Sequence, residues 1–110
     1  MNQLENEILK NKDDLFEGTF CFELFEEKTF NAPLFDKLIR DIQTALKSTD
    51  VKSSDKLKEF TIWFTMGTIR CVICHYDPND LYKISDFSMD AWNESYEPKL
   101  NNMLLALIKT

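Results

Sequence analysis

Apolar positions along this chain recur every three or four residues in most segments, the spacing of one face of an α-helix. The clearest case is "NAPLFDKLIRDIQTALKST". There Leu34, Phe35, Leu38, Ile39, Ile42, Ala45 and Leu46 make an apolar face, with Asp36, Lys37, Arg40, Asp41 and Lys47 opposite. Pro33 suits the first turn of such a helix, where its missing N–H breaks no bond. The polar run "STDVKSSD" then reads as a loop, in which Ser53, Ser54 or Asp55 can cap the next helix.

That next helix, at about 55–76, is the expected centre of the fold. Phe60, Phe64, Gly67, Cys71 and Cys74 fall on one side of it, and Ile62, Met66, Ile69, Ile73 and Tyr76 on an adjoining side. Thr61, Thr65, Thr68 and His75 form a narrow polar arc, so the pattern predicts burial over most of the circumference. Asp77-Pro78 ends the helix, because proline disfavours helical geometry in the residue before it. Arg70 projects among Trp63, Met66 and Cys74, inside the apolar arc. A guanidinium there needs a carboxylate, an exit to solvent along its own stem, or a place at the edge of a partner surface.

Beyond it, Asn79 or Asp80 can cap a short helix through Leu81 and Tyr82, and Ser88 a last helix from near Met89. Pro98 should break or kink that helix, which restarts with Leu100, Met103, Leu104, Leu107 and Ile108 apolar. The N-terminal segment is ambiguous. Leu4, Ile8 and Leu9 fit one helical stripe and Phe16, Phe20 and Leu24 another, but Phe20, Phe22 and Leu24 also alternate like a strand. Helix is the better fit, with a break near Gly18. The pattern as a whole predicts an all-α fold: one compact helical bundle around the helix at about 55–76, with residues 1–110 forming a single domain.

Composition narrows this further. A chain of 110 residues holds one core and no second, and two glycines and three prolines leave little material for β-turns. "MNQLENEILKNKDDLF" is polar and acidic and lacks the features of a signal peptide. No apolar run approaches the roughly 20 residues that span a bilayer. A cytoplasmic protein with no membrane partner is expected. Three cysteines, an odd number, argue against a disulfide framework.

The net charge of −6 is unevenly spread, residues 1–30 holding eight acids against three bases. Nucleic-acid binding rests on Lys and Arg, so direct contact with nucleic acid is not expected. Acidity can steer a basic partner, or it can simply keep a small protein soluble.

"RCVICHYDP" contains Cys71, Cys74 and His75 in the C-x-x-C-H order of c-type haem attachment. On the helix at about 55–76, however, both cysteines share the apolar side with Phe64 and Gly67, where free cysteine serves as a small hydrophobe. His75 points about 40° to 80° away, towards the threonines. No βαβ pattern follows the motif, as a redox dithiol would require. A zinc site would need Cys21 from a separate segment, and a second C-x-x-C pair is missing. The expectation is no haem, no metal and no cofactor. With one histidine and no G-x-S-x-G, phosphate loop or H-E-x-x-H, no enzyme activity is expected either.

Between Tyr76 and Glu97, six carboxylates (Asp77, Asp80, Asp86, Asp90, Glu94, Glu97) interleave with Tyr76, Tyr82, Phe87, Trp92 and Tyr96. Acids for steering and aromatics for desolvated contact are what a surface facing a basic partner requires. Asp80, Tyr82, Asp86, Asp90, Glu94 and Tyr96 are the candidate partner-binding residues, with Trp92 assigned to the core. The acidic set Asp13, Asp14, Glu17, Glu23, Glu26 and Glu27 is the next candidate. The run "W…R…HYDPNDLYKI" into "WNESYEPKLNNMLLAL", over residues 58–108, resembles the small immunity proteins of contact-dependent growth-inhibition and other polymorphic toxin systems. The resemblance implies a bacterial cytoplasmic protein that binds one cognate toxin, often a nuclease, and blocks its active site. The alternative is a small helical adaptor, or a phage or host regulatory protein, with a different basic partner.

Overall fold

Asn11 shows how the N-terminal segment resolves. The computed structural model describes residues 3–13, 16–47 and 55–109, and in it α1 (Gln3–Leu9) runs into a 3₁₀ turn (Lys10–Lys12). The buried Asn11 side chain donates to the Ile8 carbonyl at 3.1 Å and accepts the Cys21 amide at 3.2 Å. It thereby ties that turn to α2 (Phe20–Phe25). The choice between helix and strand falls to helix, with the break at Gly18. There the backbone takes φ 86°, a left-handed conformation that costs glycine nothing. Thr19 then caps α2 by accepting the Phe22 amide at 3.2 Å. Phe20 and Leu24 are buried, whereas Phe16 lies outside the helix, exposed beneath the Lys10 ammonium.

α3 (Ala32–Leu46) follows the pattern closely. Asn31 caps it through the Leu34 amide at 3.1 Å and Pro33 sits in the first turn. Phe35, Leu38, Ile39, Ile42, Ala45 and Leu46 are buried, and Leu34 is half-buried. Lys37 pairs with Asp41 on the outer side at 2.7 Å.

α4 (Asp55–Tyr76) has the predicted span, though Ser53 and Ser54 lie outside the described residues. Its orientation is a correction. Leu57, Phe60, Thr61, Phe64, Thr65, Thr68 and Val72 face the core, so the threonine arc is buried rather than solvated. The stripe on the other side is open to solvent: Ile62 is 48% exposed, Met66 57%, Ile69 39%, Ile73 63% and Tyr76 72%. The physical reason lies in the hydroxyls. Thr61 donates to the Leu57 carbonyl and Thr65 to the Thr61 carbonyl, both at 2.8 Å, so each presents a satisfied oxygen and a methyl group to the core. Cys71 and Cys74 are only partly buried for the same reason, while Cys21 is buried. Gly67 lies under the Phe25 ring, where a Cβ would come within 2.8 Å of Cζ.

The short helix expected through Leu81 and Tyr82 does not form, and that segment is a turn followed by extended chain. A single bridge, Thr29 to Ser85, fastens it beside the α2–α3 junction, and among the described residues there is no strand. Ser88 caps α5 (Met89–Ala91) by accepting the Ala91 amide at 3.2 Å. The helix then widens into a π-helical stretch (Trp92–Tyr96) and continues as α6 (Glu97–Ile108). Pro98 neither stops nor restarts it. The wider π turn relieves the clash between the proline ring and the carbonyl four residues back. Leu100 and Met103 are buried, Leu104 and Leu107 half-buried, and Ile108 is exposed.

The architecture is all-α. Phe20 lies at the middle of the core, edge-on to Phe30, Phe35 and Phe64 at centroid distances of 5.4, 5.3 and 5.8 Å. α3 packs against α1 and α6, and α4 packs against α1, α2 and α6.

Candidate partner-binding surface

The C-terminal end of α4 sets the geometry of the chain that follows it. Lys83 donates to the carbonyls of His75 at 3.1 Å and Asp77 at 2.7 Å, a cation where the helix leaves acceptors unpaired. His75 Nδ1 accepts the Ile84 amide at 2.8 Å, and its ring meets Phe87 edge-on at 5.0 Å. Asp77 accepts the Asn79 amide at 2.9 Å, and Asp80 the Tyr82 amide at 2.8 Å, making two successive Asx turns. The Tyr82 hydroxyl reaches across to donate to the Leu24 carbonyl at 2.7 Å. Ser85 donates to the Lys28 carbonyl at 2.7 Å and accepts the Phe30 amide at 3.0 Å. These bonds tie residues 77–85 to the end of α4, to α2 and to the chain between α2 and α3.

The six sequence-derived candidates divide into two groups within this frame. Asp86, Asp90 and Glu94 are exposed, and among the described residues no base lies within ion-pair distance of them. Asp90 and Glu94, four residues apart on the stretch from α5 into the π turn, share one edge. Asp86 sits at φ 58°, which a short polar side chain tolerates. Asp80, Tyr82 and Tyr96 do internal work instead. Tyr96 is half-buried against Phe30 and Phe35 at 4.8 and 5.4 Å, with Lys99 over its ring. Trp92 is in the core.

Electrostatics follow the same division. The Tyr82 amide bonded to Asp80, and secondarily the Cys74 thiol, hold the Asp80 carboxyl below its ordinary value. The same hydrogen bond, seen from the other side, pushes the Cys74 thiol up. Burial pushes up the Cys71 and Cys21 thiols. Burial, then the neighbouring Cys71, raises the Tyr82 phenol far above its usual range. Cys71, Cys74 and His75 are thus engaged with the segment that follows them. Among the described residues no group of three His, Cys, Asp or Glu is arranged to hold a metal ion.

Sequence reasoning missed Leu81. It is 96% exposed, the most open large apolar residue described, at the tip of the pinned segment. The signal available was an apolar residue inside the turn run "DPNDLYK" with no periodic partner. Of the N-terminal acidic set, Glu17, Glu26 and Glu27 are exposed, Glu23 accepts a bond from Asn31 at 3.0 Å, and Asp14 lies outside the described residues. Arg70 is exposed beside a groove of about 360 Å³ lined by Phe25, Trp63, Met66, Gly67 and Cys71. No described helix is long and apolar enough to cross a membrane. The chain matches no protein-family model, and no match was found among curated proteins or solved structures.

Proposed function

We propose that this chain is an immunity-type inhibitor, which binds a cognate toxin with a basic cleft, such as a nuclease, and occludes its active site. One observation carries the reading. Three exposed carboxylates without ion-pair partners among the described residues, Asp86, Asp90 and Glu94, lie within fourteen residues of the almost fully exposed Leu81. Leu81 and Asp86 are on the hydrogen-bonded loop, and Asp90 and Glu94 on the helical stretch that follows it. Preorganisation matters because ordering a loop on binding subtracts from affinity. A nuclease must present Lys, Arg or His to phosphate. The three acids offer the same charge, while Leu81 supplies a desolvated anchor. Occlusion needs no catalytic group of its own. The acids and Leu81 make the contact; Asp80, Tyr82 and Tyr96 position it.

The test is co-expression with the toxin encoded beside this chain. The triple variant Asp86→Lys, Asp90→Lys, Glu94→Lys should keep wild-type circular dichroism yet lose protection. Each reversed contact should cost about 2 kcal/mol or more if it lies at the centre of the interface, and far less at its rim. Leu81→Ser should weaken binding without altering the fold. Unchanged affinity and protection in both variants would overturn the assignment of this surface. The absence of any neighbouring toxin or basic co-purifying partner would overturn the immunity reading.

A further inference from the structure

The exposed stripe of α4 has a regular order that the toxin-facing surface does not use. Ile62, Met66, Ile69, Ile73 and Tyr76 are spaced four, three, four and three residues apart, the a/d repeat of a coiled-coil seam. All five are open to solvent on a helix of 22 residues, whose opposite face is committed to the core. Among the described residues no element covers this stripe, and a seam of this length and exposure is unusual on a small domain.

We infer that this stripe is a docking surface for a second copy of the chain, paired antiparallel about a two-fold axis between Met66 and Ile69. The order of the residues favours that occupant over any other. Antiparallel pairing in this register sets Met66 against Ile69 of the second copy and Ile62 against Ile73, so every central layer is apolar. On the flank, Lys56 meets Asp77 of the second copy, and Arg70 meets Trp63. Lys56, Trp63 and Arg70 share one edge of α4, and Asp77 continues it one residue past the helix end. The Asp77 amide is still bonded to the Ile73 carbonyl at 3.1 Å, and its carboxylate accepts the Asn79 amide. Lys56, Arg70 and Asp77 are exposed. Lys56, which has no ion-pair partner among the described residues, acquires a carboxylate. Arg70 gains only packing beside Trp63, whose ring already lies under the Lys12 ammonium at 5.6 Å and meets Phe25 edge-on at 5.4 Å. Glu59 closes the outer layer opposite the Tyr76 hydroxyl. A parallel pair would stack isoleucine on isoleucine at the d positions, which favours assemblies larger than two, and would leave Lys56 and Asp77 far apart. The isologous arrangement makes each contact twice.

Sedimentation equilibrium of the purified chain alone, without toxin, tests this. At micromolar concentration the wild type should have twice the chain mass. Ile69→Lys, at an exposed position, should keep the circular dichroism spectrum and weaken dimerisation at least about tenfold, because the new charge is buried unpaired in the seam. Lys56→Glu should weaken the dimer too, and adding Asp77→Lys should restore it. A monomer throughout, including one whose stripe is protected from exchange only when toxin is added, overturns the proposal. So does a dimer that survives Ile69→Lys. A dimer lost in Ile69→Lys, but either indifferent to Lys56→Glu or not restored by the charge swap, overturns the antiparallel register.

Discussion

Asp80 does more for this molecule than its place on the surface would imply. Its carboxylate accepts the Tyr82 amide and also faces the Cys74 thiol, so a single charge shapes the turn and holds a cysteine protonated. Because its folded-state pKa lies below the ordinary 3.8, its contribution is complete above that value and is lost as pH falls through the folded value. Acid should therefore loosen the turn at 80–82 before it melts the helices, seen as faster amide exchange at Tyr82. Asp80→Asn separates the two roles. The amide oxygen can still accept from Tyr82, so the turn should persist, but the charge that raises Cys74 is gone. Maleimide labelling followed by peptide mass mapping should show Cys74 reacting several-fold faster at pH 8, with Cys21 still inert in the native state. Asp80→Ala, which removes the acceptor as well, should add fast exchange at Tyr82.

At the scale of elements, legibility tracked how much each one depends on distant chain. α3 was readable in full because its apolar and polar faces are cleanly separated and its caps are local. α4 was readable in span and misread in rotation. Two arcs of it are apolar enough to be core, and the choice fell to threonines whose hydroxyls bond to their own helix. That state is invisible to any scale that counts threonine as polar. The short helix expected through Leu81 and Tyr82 is absent because the conformation there is set by the Tyr82 hydroxyl on Leu24, 58 residues away, and by the bridge at Ser85. Of the candidate surface, the exposed acids were legible from charge spacing. The tyrosines were not, because sequence cannot show which aromatic is taken by the core. The threonine face also makes a prediction. Thr61 and Thr65 are satisfied, but the fully buried Thr68 hydroxyl has no partner among the described residues. Thr68→Val should therefore stabilise the protein by about 1 kcal/mol, raising the melting temperature by roughly 4–8 °C, whereas Thr65→Val should gain nothing. Calorimetry of the two variants side by side decides it.

For the molecule as a whole, the two proposals give the acidic charge and the apolar stripe separate roles: the charge would steer the chain towards a basic partner, and the stripe would close on a second copy. The bonds from Tyr82 to Leu24 and from Ser85 to Lys28 and Phe30 bear on a further property. They join the first third of the chain to the last third, while Phe20 and Phe35 from one side of residue 47 stack on Phe64 and Tyr96 from the other. The core is thus itself the seam between two pieces of sequence. A chain cut once between Lys47 and Asp55 should reassemble by fragment complementation. Fragments 1–50 and 51–110, each unfolded alone, should recover helical circular dichroism on mixing, in a concentration-dependent manner because cutting turns an intramolecular association into a bimolecular one. Tyr82→Phe, which keeps the ring and removes the donor to Leu24, should weaken that reassembly by about 1 kcal/mol, roughly fivefold in the midpoint. The clasp that shapes the loop would then act as the latch of a split protein.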